Sequence, residues 1–535
     1  MIRYYLSVLA ISLSALSFSQ VDKTKINTTQ KLEEVMMYIN KMYVDTVNQK
    51  QLTEAAIEAM LEKLDPHSVY ISKEEVDGAN QQIEGSFVGI GIRFQILKDT
   101  LLVVATIPGG PSEKLGILPG DKILTVEGKN IAGVGLKTIQ VREHLMGELG
   151  SKVNIEIKRK SSKKNLAYII IRDRIPVNSV DCYYMVTPEI GYIKLNSFSR
   201  STVEEMHKGI QDLKLKGMKH LIFDLQGNGG GLLYAAQMVA DEFLSKDKLI
   251  VYSEGRAQPR SDLKAEKLGL WEDGKLILLT DEYSASASEI VSGSIQDWDR
   301  GLIIGRRTFG KGLVQRPIDL SDGSQIRLTI ARYYTPAGRF IQKSYEDMDA
   351  YEKDLSVRYK KGEFQHADSI HMPDSLKAQT LITKRTVYNG GGIMPDIFVP
   401  MDTSGVTEYF KAILRGGYVN SFTLTYANDN RDDILKKYPT FTDFKKEFNC
   451  DQKFMDVFFE YVKKEDSTLI FNKEEYKTSE NLIKLRLKSI LAQDIWGYNE
   501  FYEIYNASNE ALTKAIEVLE TNQYDKMNLE NTKKK

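Results

Sequence analysis

Two cysteines in 535 residues, Cys182 and Cys450, are too few for a disulfide scaffold or a Cys-based zinc site. So far apart in the sequence, they are expected as two unpaired, structural thiols. Histidine is nearly as scarce. The six, His67, His144, His207, His220, His366 and His371, form no H-E-x-x-H and no i,i+4 pair, so no metal site is expected. A charge excess of either sign is also missing. Lys+Arg 72 against Asp+Glu 73 leaves a net charge of -1, and nothing to neutralise phosphates, so nucleic acid is not expected as a partner.

Long apolar runs are absent with one exception. After Arg3, the stretch from Tyr4 to Phe18 carries no charge, and Ser17-Phe18-Ser19 places small residues at signal-peptidase offsets. Residues 1–19 therefore read as a signal peptide cleaved near Ser19, which puts the mature chain in the periplasm or otherwise outside the cytoplasm. The run is short for a membrane span.

What remains is ample for several cores, with 42% apolar residues and a length that suggests three or four domains. Leu32, Val35, Met36, Ile39 and Tyr43 recur at helical spacing, as do Ile57, Met60, Leu61 and Leu64, before Asp65-Pro66 stops the pattern. From about Gly85 the texture changes to short strands and Gly/Pro turns, with a strand expected through Phe87–Phe94 and a helix over Leu136–Met146. Beyond Arg174, strands (Ile190–Leu195, His220–Leu225, Leu276–Thr280, Leu302–Gly305) alternate with helices (Thr202–Leu213, Leu232–Leu244, Ala287–Trp298), which predicts a sheet flanked by helices. Residues 346–380 read as an irregular insertion, and the chain ends in helices.

Three segments could carry chemistry. Tyr283-Ser-Ala-Ser-Ala-Ser-Glu-Ile290 places serines on a strand-to-helix turn, where the unpaired N–H groups of the helix could hold an oxyanion, though serine also serves there as a plain cap. Thr308-Phe-Gly-Lys-Gly-Leu-Val-Gln315 holds a lysine between glycines. A lysine desolvated there would lose its proton readily, and Gln315, four residues on, shares its face; a surface lysine in a turn fits the segment equally well. Asp224-Leu-Gln-Gly-Asn-Gly-Gly-Gly231 could bring backbone amides close to a ligand. Gly305–Lys311 also matches G-x-x-x-x-G-K, but Gly312 and then a strand follow, where a nucleotide-binding loop needs Ser or Thr and a helix.

Together FDLQGNGGGLL, DEYSASASEIVSGSIQDWDR, GRRTFGKGLVQ, RYYTPAGRFIQ and GGGIMPDI, with LDPHSVYI and GSFVGIGI upstream, resemble the C-terminal processing (tail-specific) peptidases of serine protease family S41, from about residue 30 to 400. The resemblance implies a multidomain α/β chain. A peptidase core of ClpP/crotonase-like helix–sheet layers (173–400) would follow a PDZ domain (84–172), with helical regions over 20–83 and 401–535. It implies a serine endopeptidase with Ser286 as nucleophile, Lys311 as general base and Gln315 orienting the lysine. Ser284 and Ser288 would be structural, and the amides of Ala287 and Gly230 would form the oxyanion hole. The family's D-L-R-x-N-P-G-G is altered here to Gln226 and Gly229, which leaves the donating glycine open. In the PDZ domain, Phe87, Gly89, Ile90, Gly91 and Ile92 would receive the terminal carboxylate of a protein substrate, with Val141 and Leu145 gripping its last residue or simply filling the core. No cofactor is implied. The resemblance leaves room for an adaptor protein and for a homo-oligomer through the terminal helices. Two other readings compete with it: a non-catalytic PDZ scaffold, and a Ser-His-Asp hydrolase using His207 or His220.

Overall fold

The computed structural model describes residues 28–527 and residue 529, so the expected signal peptide and the final lysines lie outside the described residues. The chain divides into two compact units, residues 1–65 and 66–535. The first contains the helices Thr28–Met42 and Gln49–Glu62, the second capped by the Asn48 side chain, which accepts from the Gln51 amide at 3.2 Å.

In the second unit a six-stranded sheet runs in the order Val180–Met185, Ile190–Leu195, His220–Asp224, Lys275–Thr280, Leu302–Gly305, Ile397–Phe398. The first pair is antiparallel and the rest are parallel. Parallel strands covered on both faces need apolar residues at every position, and all six residues of Ile190–Leu195 are buried. Side chains alternate between two cores. Ile193, Leu195, Leu221, Phe223, Leu276, Leu278 and Ile303 face the helices Thr202–Leu215, Leu233–Asp241 and Ala287–Asp297. Tyr192, Ile222, Ile277, Leu279 and Ile304 face the helix Glu510–Glu520 through Ala511, Leu512, Ala515 and Val518. Because the three central strands are parallel neighbours, the segments after Asp224, Thr280 and Gly305 all emerge at one end of the sheet, where ligands of such sheets gather.

A second sheet orders Val69–Ile71, Gln325–Tyr334, Leu249–Gly255 and Gln258–Lys264, with Leu313–Asp319 also paired to Gln325–Tyr334. A third holds Ile92–Ile96, Leu101–Thr106, Lys122–Val126, Lys152–Lys158 and Leu166–Ile171, packed on the helix Thr138–Leu145. The strand expected through Phe87–Phe94 is broken at Ile90-Gly91. Gly91 turns the chain at φ +74, and Ser86–Gly89 pairs instead with Asp173–Pro176. Helices from Glu408 to Tyr505 enclose an aromatic core around Phe422, Phe444, Phe454 and Phe458. The third sheet touches them, with Leu102 and Val104 against Leu424.

The segment read as irregular contains the helix Met348–Lys360, capped by Asp347. It buries only Tyr351 and Arg358, so its sequence shows almost no apolar stripe. Cys182 and Cys450 are both free and buried. Among the described residues no helix is long and apolar enough to cross a membrane.

Candidate active site

Ser286 stands at φ 55, ψ -111, a backbone conformation that residues with a Cβ rarely adopt. Its neighbours hold it there. Ser284 Oγ donates to the Leu225 carbonyl at 2.8 Å, and Ser288 Oγ to the Asn228 carbonyl at 2.8 Å. The Ala285 amide also donates to the Asn228 carbonyl, at 3.0 Å. The outer serines of the S-A-S-A-S run thus stitch the turn to the glycine-rich loop, and Ser286 alone is strained. Ala287 opens a helix of which every residue is buried, so its amide belongs to the unpaired first turn of a water-excluded helix.

Glu289 joins this turn to the lysine segment. Its side chain is fully buried, and four donors converge on it. Oε2 accepts from the amides of Ser286 and Lys311, both at 2.8 Å; Oε1 accepts from Thr308 Oγ1 at 2.6 Å and the Gly310 amide at 2.7 Å. One oxygen atom therefore holds the backbones of residues 286 and 311 together. Burial pushes the Glu289 carboxyl up to about 7, against the pull of these donors. A second tie comes from Tyr333, whose hydroxyl lies 3.1 Å from the Ser286 carbonyl and also hydrogen-bonds the Lys311 carbonyl. Lys311 Nζ in turn donates to Gln315 Oε1 at 2.9 Å. Lys311 and Gln315, placed on one face from their spacing, do meet.

The glycine-rich loop is built around buried Asn228. Its Nδ2 donates to the Leu195 carbonyl at 2.9 Å, and its Oδ1 accepts the Gly230 amide at 2.8 Å. The Gly230 N–H, expected as an oxyanion donor, is engaged in this conformation. Gly230 matters differently. A methyl group added there would sit 2.9 Å from Ser286 Cβ and 3.0 Å from the Ala287 nitrogen, and the backbone stands at φ +102. Gly230 keeps open the space in front of the Ala287 amide. If the Ala287 amide receives an oxyanion, Gly230→Ala lowers kcat about 100-fold, as loss of one such donor does, while Gly229→Ala, with nothing near its added methyl, changes it far less. Steady-state kinetics on both variants checks this.

The expected PDZ groove is a cavity of ≈ 160 Å³ lined by Phe87, Gly89, Ile90, Gly91, Ile92, Val141 and Leu145, with Gln81, Phe94, Arg142 and Met146. Val141 and Leu145 line it and belong to the buried core of the module at once. The competing histidines stand elsewhere. His207 bonds buried Glu242 at 2.7 Å, and His220 opens its strand opposite Lys275, at the end of the sheet away from Thr280 and the turn to Ser286.

Sequence reasoning did not single out Glu289, Asn228 or Tyr333. Glu289 had a signal, a Glu three residues after a Ser at a helix start. Tyr333 had none, because its hydroxyl's partners, the carbonyls of Ser286 and Lys311, lie 47 and 22 residues away in the chain.

The profile described as Peptidase family S41 matches residues 189–350, and a PDZ domain profile matches 102–159. An activating protease CtpB N-terminal domain profile matches 10–75, and a family of unknown function matches 409–497. A carboxy-terminal-processing protease of Bartonella bacilliformis is 36% identical over 342 residues, covering 62% of this chain and 78% of that protein. The chain belongs to peptidase family S41. The carboxy-terminal processing protease CtpB of Bacillus subtilis is 32% identical over 61% of this chain and 68% of its own. A probable CtpA-like serine protease of Staphylococcus aureus is 34% identical over 60% of this chain and 64% of its own, so this S41 chain spans less than two thirds of that relative. Its fold is thus an S41 peptidase domain beside a PDZ domain, with helical regions at both ends.

Proposed function

We propose that this S41 chain is an exported serine endopeptidase that cleaves proteins with a Ser286–Lys311 dyad and selects them by their C-terminal ends. The observation that carries the reading is the shared Glu289 carboxylate, which gathers the backbones of Ser286 and Lys311 while Gln315 takes a proton donor of the Lys311 amine. The working divisions are a PDZ domain over 84–172, a peptidase core over 173–400 and a helical region over 401–535, behind a signal peptide at 1–19.

In the mechanism, neutral Lys311 Nζ takes the Ser286 hydroxyl proton as Oγ bonds to the substrate carbonyl carbon. The negative oxygen forms in front of the Ala287 amide, aided by the helix dipole. The C–N bond then breaks, the leaving amine takes the proton from the Lys311 ammonium, and the acyl group stays on Oγ. Water attacks that ester, giving its proton to Lys311; the bond from the carbonyl carbon to Oγ breaks, and Oγ takes that proton back, which releases the acid and restores Ser286 and the neutral amine. Gly230 shapes the hole in this account; a conformation that frees its amide from Asn228 would add a second donor.

The substrate's tail would lie as an added strand along Ile92–Ile96, its carboxylate at the Gly89–Gly91 turn. Tail binding would raise the local concentration of the scissile bond and gate the dyad. Amidating the C-terminus of a peptide substrate should raise its Kd and KM by about tenfold or more, since a charge-assisted acceptor is lost. Titration with a matched pair of peptides tests this; equal affinity would show that the carboxylate is not read.

A further inference from the structure

Gln315 can serve Lys311 only in one of its two amide orientations. Its oxygen must face the amine; turned over, it would present a second donor to a donor. Lys311 alone does not force that choice. The group that does is the backbone carbonyl of His67, which accepts from Gln315 Nε2. A carbonyl accepts and never donates, so it admits only the nitrogen end and leaves Oε1 for Lys311 Nζ at 2.9 Å.

The carbonyl is itself braced from two sides. On one, the strand Val69–Ile71 pairs with Gln325–Arg327, and Ser68 Oγ accepts the amide of Thr329, the residue that faces Gln315 across the neighbouring strands. On the other, the His67 ring Nε2 lies 2.8 Å from the Tyr351 hydroxyl, with the rings edge to face at 5.6 Å. Tyr351 is one of the two buried residues of the Met348–Lys360 helix. It is fixed by Lys343, whose ammonium sits 4.2 Å from the Tyr351 ring and 3.9 Å from that of Phe309 and pairs with Asp354 at 3.1 Å. The Lys343 amide donates to the Gly310 carbonyl at 3.0 Å, beside Lys311. A segment upstream of the PDZ module and a helix inserted between the strands Gln325–Tyr334 and Ile397–Phe398 thus converge on the far side of Gln315. Both His67 and Tyr351 lie outside residues 189–350, the stretch the S41 profile matches.

We propose that His67, held by Tyr351, is a positioning residue of the dyad: its carbonyl locks the Gln315 amide so that the oxygen receives the Lys311 amine, which leaves the nitrogen lone pair for the Ser286 proton. The inference rests on the Ser–Lys reading. It implies that the His67–Ser68 segment and the inserted helix set catalytic rate without touching substrate.

The test measures the rate of Ser286 acylation by a peptide ester, with KM, in full-length His67→Ala, Tyr351→Phe and Gln315→Glu. Each should lower the acylation rate about tenfold or more and leave KM within about twofold, because positioning acts on the transition state alone. Tyr351→Phe keeps the ring and should melt with the wild type, so a loss there is not unfolding. In a Gln315→Ala background, His67→Ala should add less than about twofold, since its effect passes through Gln315. Unchanged rates, a loss confined to KM, or an undiminished His67→Ala effect in that background overturns the proposal; where the background is too slow to read, the split between rate and KM decides alone. Failure of the dyad reading itself looks different: the parent enzyme then carries no acyl group on Ser286.

Discussion

Ser286→Ala should abolish proteolysis while the protein folds and melts as the wild type does. The turn is tied to the neighbouring segments by Ser284, Ser288 and Glu289, which the substitution leaves in place. The three serines of one short run should therefore separate cleanly. Ser286→Ala loses about a thousandfold or more in kcat. Ser284→Ala and Ser288→Ala, each removing a buried hydroxyl bonded to a carbonyl of the neighbouring loop, lose about 1–3 kcal/mol of stability instead. Lys311→Ala should match Ser286→Ala in activity. Lys311→Arg should match it too, because a guanidinium does not give up its proton at working pH. Casein or peptide cleavage with a parallel melting curve reads all five variants. Activity retained by Ser286→Ala would point to another nucleophile.

Glu289→Gln carries the second large effect. The carboxylate receives four donors and offers none. An amide in its place turns one oxygen into a nitrogen, which meets either the Ser286 and Lys311 amides or the Gly310 amide and the Thr308 hydroxyl. One or two buried donors left without partners cost roughly 1–6 kcal/mol, and the four-donor cradle that joins the two segments is broken. Cleavage should fall about 100-fold or more, with a lower Tm. The pH dependence separates this carboxylate from a mere packing group. Its folded value is raised, to about 7 from the ordinary 4.5. Between those values the folded chain holds a proton that the unfolded chain has released, so this group's contribution to stability is complete below about 4.5 and is lost as pH rises toward 7. Activity runs the other way, because only the ionised form accepts all four donors. Stability should fall and kcat should rise across the same window, and both slopes should flatten in Glu289→Gln. Melting curves and kcat measured from pH 4.5 to 8 check this.

The parts of the site that lie close in sequence were legible in it. The serine run, the Gly-Lys-Gly turn and the glycine loop each follow an apolar strand, and the strand pattern alone brings them to one end of a parallel sheet. Lys311 and Gln315 meet as their spacing suggested, although Lys311 precedes the strand Leu313–Asp319 and a bulge falls between Val314 and Gln315. What escaped was non-local. Tyr333 stands on the Gln325–Tyr334 strand, which pairs with Leu313–Asp319 as a hairpin, but its hydroxyl reaches the Ser286 carbonyl, 47 residues away in the chain. The Gly230 amide was expected at the oxyanion, yet Asn228, two residues before it, takes that amide first. The inserted helix escaped because a helix that buries only two residues leaves no periodic stripe.

In the proposed mechanism residue 311 delivers the Ser286 hydroxyl to a carbonyl carbon. The measurement that meets it most directly is peptide mapping by mass spectrometry after brief reaction with an activated peptide ester. An acyl group on Ser286, present in the wild type and missing from both Lys311→Ala and Lys311→Arg, is the predicted result. An acyl group on another residue, or one that forms on Ser286 at the wild-type rate without the lysine, would contradict it.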